Sequence, residues 1–103
     1  MLRTCADEDL RSELEKVRQQ LHSLSTQRSK WEIEANDLRT SAKSDRNEIR
    51  HAQTKEREEE LSERADRRDK RAEQLEADVA KLSRQISDAE RNETMLRERM
   101  LEP

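Results

Sequence analysis

The chain has 103 residues, of which 46% are charged and 29% apolar, and its formal net charge is −3, from 22 basic and 25 acidic residues. It contains no glycine, phenylalanine or tyrosine, and its proline, Pro103, is the last residue, so it lacks the usual residues for tight turns and helix stops. This composition excludes a packed globule, and the near balance of charges argues against a dedicated nucleic-acid or membrane surface.

The first predicted element is a helix start at residues 1–9. Thr4 fits an N-cap, and the carboxylates that run from Asp7 to Asp9 favour the positive end of a helix dipole. Disorder is the alternative at this low hydropathy. The abundance of Glu, Arg, Leu, Ala, Lys and Gln, which are strong helix formers, favours a helix instead.

Residues 10–52 are the first predicted coiled-coil segment, because core positions recur there in steps of four and three. Trp31, the only aromatic residue, is expected to pack in this core, with a binding anchor for a partner protein as the alternative. The predicted apolar core residues are Leu10, Leu14, Val17, Leu21, Leu24, Trp31, Ala35, Leu38, Ala42 and Ile49.

Residues 53–60 (QTKEREEE) contain no apolar side chain and interrupt the heptad pattern. Nine positions rather than seven separate Ala52 from Leu61, and this offset of two turns the apolar stripe by about 200° around a helix. Glu60 and Arg64 are spaced to form a favourable ion pair along one helix. We therefore expect loosened packing here, with the backbone still helical.

Residues 61–101 are the second predicted coiled-coil segment. Val79 and Ile86 fall at the first core position of their heptads and Leu75 and Leu82 at the second, a choice that favours two parallel strands. The predicted apolar core residues are Leu61, Ala65, Ala72, Leu75, Val79, Leu82, Ile86, Ala89, Leu96 and Met100.

Four charged residues occupy core positions: Arg28, Asp45, Arg68 and Glu93. The long arginine stems can cover apolar surface while the charged group reaches water. Such residues set the register and lower stability locally. The alternative is that they permit axial stagger of the strands or attachment of a third helix.

Charges beside the core favour a parallel pair. In a parallel homodimer, each residue just before a core position faces a residue five positions on in its partner, and no repulsive pair results. Antiparallel pairing of the first segment with its own copy sets like charges against each other. The predicted interhelical ion pairs are Glu13–Arg18, Glu34–Arg39, Arg64–Asp69 and Arg71–Glu76.

The predicted fold is therefore all-α: a single long helix that forms a parallel two-stranded coiled coil with a second copy, with a heptad discontinuity near residues 53–60. The main structural alternative is a hairpin within one chain. Its bend is expected at Thr40–Glu48 (TSAKSDRNE), which has the most turn-like composition of the chain.

No catalytic or metal-binding pattern is visible. His22 and His51 lie alone, far from any carboxylate or cysteine cluster at ligand spacing. We expect no enzymatic activity and no cofactor. Cys5, the only cysteine, indicates a reducing compartment and leaves an interchain bridge between two copies open.

The sequence predicts neither nucleic-acid binding nor membrane insertion. A basic leucine zipper would use Arg46–Arg50, but an acid interrupts that basic run, so no nucleic-acid binding is expected. No apolar run approaches the ~20 residues that span a bilayer, and no secretory signal is present. The expected location is the cytoplasm, in association with the cytoskeleton.

The heptads LRSELEKVRQQLHSL and LEADVAKLSRQI resemble the coiled-coil stretches of centriolar and other cytoskeletal scaffold proteins. The resemblance covers Leu10 to Met100. It implies homodimerisation and a role as a structural and interaction rod that spaces parts of a larger scaffold. The alternatives are the stalk of a motor, a membrane-tethering golgin-type protein, and an antiparallel arm of a chromosome-organising ATPase. Further helices or scaffold proteins are the expected additional partners.

Overall fold

A computed structural model describes residues 5–102, with the side chains of residues 5 and 6 excepted. Within these residues the chain forms two long α-helices, α1 at Cys5–Ile49 and α2 at Lys55–Leu101. The all-helical class predicted from the sequence is confirmed for the described residues. The N-cap predicted at Thr4 and the interchain bridge left open at Cys5 lie outside the described residues and side chains.

The two helices form a hairpin, so the expectation of one continuous helix is wrong. The break lies at residues 50–54, at the start of the predicted heptad discontinuity, while residues 55–60 are helical as expected. The segment Thr40–Glu48, where the alternative placed the bend, lies inside α1. The physical reason is the phase offset: a straight helix would carry its two apolar stripes on nearly opposite sides, whereas a turn lets both stripes face each other.

The turn is built from backbone bonds and a capping side chain. The amides of His51 and Ala52 donate to the carbonyls of Glu48 and Ile49, at 2.9 and 3.1 Å, which tightens the end of α1. The hydroxyl of Thr54 accepts from the amide of Arg57 at 3.1 Å, which is the geometry of a helix N-cap. Among the described residues none has a positive φ, so this turn needs no glycine.

The helices divide into two compact units. The first holds the described residues up to Arg28 and those from Lys81 onward. Its core joins Leu14 and Val17 of α1 to Ala89 and Leu96 of α2. The residues packed around this core are Leu10, Leu21 and Met100.

The second unit, Ser29–Ala80, contains the turn. Its core joins Ala35 of α1 to Ala72 and Leu75 of α2, with Trp31 and Leu38 packed against them. Leu61, Ala42 and Ala65 are also buried, each with at most 1% of its surface exposed. Fully buried alanines leave little side-chain volume between the backbones, which favours a close approach of the two helices.

Candidate functional site

The candidate functional site is the interface between α1 and α2 with the ion pairs that flank it. Every residue predicted for the apolar core is buried or half-buried in the structure. In both units the core clusters draw on both helices of the same chain. The structure contains one chain, so the use of these residues between two copies remains a prediction.

A buried carboxylate stands out in the second unit. Asp45 is 2% exposed, and its two oxygens accept from Arg64 at 2.8 Å and from Arg68 at 2.7 Å. Arg68 also donates to the backbone carbonyl of Ser41 at 3.5 Å. A buried charge is stable only when it is paired and hydrogen-bonded, and α2 supplies both partners of this carboxylate.

The arginines of this cluster lower the pKa of the Asp45 carboxyl below its usual 3.8, chiefly through the hydrogen bond from Arg64, against the opposing effect of burial. The fit is not complete: within the described residues, the buried Nε of Arg64 has no hydrogen-bond partner. Because Asp45 needs both arginines as partners in a buried site, the cluster fixes which part of α2 lies beside Asp45.

One flank of the second unit pairs basic residues of α1 with acidic residues of α2. Arg39 bonds to Asp69 at 3.2 Å and to Glu76, and Arg46 bonds to Asp69 at 2.6 Å. The pKa of the Asp69 carboxyl is lowered, chiefly by the hydrogen bond from Arg46. These contacts run in opposite directions along the two helices, which fixes their antiparallel orientation in this unit.

The other flank carries the opposite signs. Glu34 of α1 lies 4.0 Å from Arg71 of α2, and Glu48 lies 3.8 Å from Arg57 near the turn. Exposed pairs of this kind contribute about 0–1 kcal/mol each. Their value here is directional, because both flanks are attractive only when α1 faces α2 in the antiparallel sense.

In the first unit Arg18 of α1 bonds to Glu93 of α2 at 3.4 Å, and Arg28 donates to the hydroxyl of Ser83 at 3.5 Å. The charged residues predicted at core positions therefore find polar partners on the opposite helix of their own chain. Glu93 and Arg28 are half-buried, so their charged groups still reach water.

The eight residues of the predicted interhelical ion pairs take different places from those expected between two copies. Glu13 lies on the exposed surface. The other seven form ion pairs across the hairpin: Arg18, Glu34, Arg39, Arg64, Asp69, Arg71 and Glu76. The sequence predictions missed four members of these contacts: Arg46 with Asp66, which lie 3.2 Å apart, and Glu48 with Arg57. The sequence does carry a signal for them, because the first and second segments have opposite charges on matching flanks.

Acid should weaken the hairpin through Asp45. Its folded-state pKa lies below the unfolded value, so its contribution to the free energy of unfolding is present above the unfolded pKa and is lost as the pH falls through the folded pKa. We expect the melting temperature, followed by circular dichroism, to fall at pH values below about 4.

Asp45→Asn keeps the size of this side chain and removes its charge. The difference in melting temperature between the parent and this variant should therefore shrink toward low pH. A difference that stays constant from neutral pH to pH 2 would contradict the assignment.

Neither described helix contains a stretch apolar enough to cross a membrane. The chain matches no protein-family model, no curated protein and no solved structure.

Proposed function

We propose that the chain is a structural and interaction element that spaces parts of a larger cytoskeletal or centriolar scaffold, without catalysis of its own. The observation that supports this role is the buried Asp45–Arg64–Arg68 cluster within a matched antiparallel interface. A cluster of this kind fixes one register between two helices, although a wholly apolar core would be at least as stable. This suits an element that holds other parts at fixed positions.

Homodimerisation through a parallel pair of extended chains is the second arrangement for the same role. It is supported by the attractive flanking pairs that the sequence offers between parallel copies. However, it uses the same apolar core residues as the hairpin, so one molecule cannot adopt both arrangements at once. In that arrangement Asp45 would face its own copy in the core, and for this reason we place the hairpin first.

An antiparallel arm of a chromosome-organising ATPase is the second candidate function. One observation favours it over a motor stalk or a golgin-type tether: α1 and α2 run antiparallel in each unit. The ion pairs show this in the second unit, and the contacts Arg18–Glu93 and Arg28–Ser83 show it in the first. Arms of that class are antiparallel coils within one chain.

The location of the tagged chain in cells tests the proposal. We expect a fluorescent fusion to concentrate at cytoskeletal or centriolar structures. Asp45→Arg, which sets three arginines together in the interface, should leave the fusion diffuse. Glu15→Arg reverses an exposed charge on the same helix and should behave like the parent.

A chromatin signal from the parent fusion would favour the ATPase arm. A diffuse parent fusion, or an Asp45→Arg fusion that localises as well as the parent, would contradict the scaffold role of the hairpin.

A further inference from the structure

The outward face of α1 around Ile33 stands out from the rest of the surface. Ile33 is 63% exposed, and helical spacing places Ser29, Asn36 and Thr40 on the same side. All four residues are exposed and none is charged, although 46% of the chain is charged. In the same unit, the outward face of α2 contrasts with it, because it carries charges such as those of Arg67 and Lys70.

Two charged residues border this face along one edge. Lys30 precedes Ile33 by three positions and Asp37 follows it by four, so both project on the same side of the helix. Both are exposed, and within the described residues neither takes part in the ion pairs that join α1 to α2. They present one positive and one negative charge at nearly equal distances from a central apolar side chain.

This arrangement is complementary to itself. If two copies pack antiparallel with a two-fold axis at Ile33, matching edges face each other, so Lys30 meets Asp37 of the second copy and Asp37 meets its Lys30. On the opposite edge, Ser29 meets Asn36, a neutral pair that can share a hydrogen bond. A parallel contact would instead oppose the charged edge to the neutral edge and form no ion pair.

We infer that this face, centred on Ile33, is an interaction surface for the same face of a second copy, in antiparallel orientation. The partner is identified by charge complementarity, which a second copy satisfies with two symmetric ion pairs. The contact leaves the interior of the hairpin untouched, because Ile33 points away from α2. A crossing of two single helices buries less than the ~1,200 Å² of a stable interface, so the association is weak and needs high local concentration.

Cysteine cross-linking tests the central contact. In a Cys5→Ser background, Ile33→Cys places two thiols beside the two-fold axis, and we expect disulfide-linked dimers to form roughly tenfold faster than random collision allows, because the contact raises the local thiol concentration. Met95→Cys is the matched control, since Met95 is also an exposed apolar residue, 54% exposed, but lies on α2. Equal rates for the two variants would overturn the inference.

Charge exchange tests the orientation. Lys30→Asp and Asp37→Lys, each added to Ile33→Cys, set like charges face to face and should return the rate of cross-linking to that of the control. The double exchange, Lys30→Asp with Asp37→Lys, recreates both pairs with reversed signs and should restore fast cross-linking.

A double exchange that stays as slow as the single exchanges would also overturn the inference. Circular dichroism of each variant shows whether the helices are intact, so lost association is distinguished from lost folding. The readout is independent of cellular location and so fails separately from the proposed scaffold role.

Discussion

Replacing Leu75 with alanine will lower the free energy of unfolding of the hairpin by about 2–5 kcal/mol, measured by urea denaturation and circular dichroism. Leu75 is 1% exposed and belongs to the core that joins Ala35 to Ala72. The neighbouring alanines are too small to fill the space that its truncation leaves. Small folds are marginally stable, so a loss of this size is a large fraction of the total free energy of unfolding.

Two readouts separate a local effect from a general one. The fluorescence of Trp31, which packs against the same cluster, should shift toward that of an exposed indole in Leu75→Ala. Met95→Ala, on an exposed site of the same helix, should change the free energy of unfolding by less than about 0.5 kcal/mol. Equal losses for the two variants would show that Leu75 is not at the centre of a core.

Replacing Asp45 with alanine will destabilise the hairpin by about 1–3 kcal/mol, because two arginines lose the acceptor that they share in a buried site. The sign of this change separates the two arrangements of the chain. In a parallel homodimer Asp45 would lie beside its own copy, so its removal would relieve repulsion and raise the melting temperature. In the hairpin the same change removes the contacts to Arg64 and Arg68.

A double-mutant cycle isolates the contact itself. Asp45→Ala, Arg68→Ala and the double variant should show a coupling energy of at least about 0.5 kcal/mol, as expected for residues in one ion-pair network. Asp37→Ala, which removes an exposed carboxylate from the same helix, should be nearly neutral when measured at micromolar concentration. Stabilisation by Asp45→Ala would contradict the hairpin.

The apolar core of the interface was predictable from the sequence, because heptad spacing identifies the buried face of a helix without reference to its partner. From Leu14 to Ile49, and again from Leu61 to Leu96, the predicted apolar core residues are buried or half-buried. The same periodicity does not distinguish a partner in another chain from a partner in the same chain. Heptads therefore predicted which residues are buried and left open the helix against which they pack.

The turn escaped prediction because it uses no residue with a distinctive signature. Its residues, from Arg50 to Thr54, include no glycine or proline, and the described backbone has no positive φ that would demand one. One signal was available: Thr54 precedes Glu56 and Glu58, an N-cap followed by acidic residues in a first helical turn. Together with the phase offset, that signal marks a helix start after a break.

The orientation was missed for an electrostatic reason. Within the first segment, antiparallel pairing with its own copy opposes like charges, and this repulsion argued against any antiparallel arrangement. The two segments, however, carry opposite signs on matching flanks, as Arg39 with Glu76 and Glu34 with Arg71 show. Antiparallel packing of one segment on the other is therefore attractive on both sides.

The distance between labels at positions 20 and 85 within one molecule tests the hairpin most directly. Gln20 and Gln85 line the same groove in the first unit, so spin labels there, in a Cys5→Ser background and diluted into excess unlabelled chain, should lie roughly 10–25 Å apart, given helix axes 8–10 Å apart. Dilution ensures that only distances within one chain are measured. In a single continuous helix the same labels would be about 100 Å apart, at 1.5 Å per residue. A short distance is the expected result, and its absence in the diluted sample would contradict the hairpin.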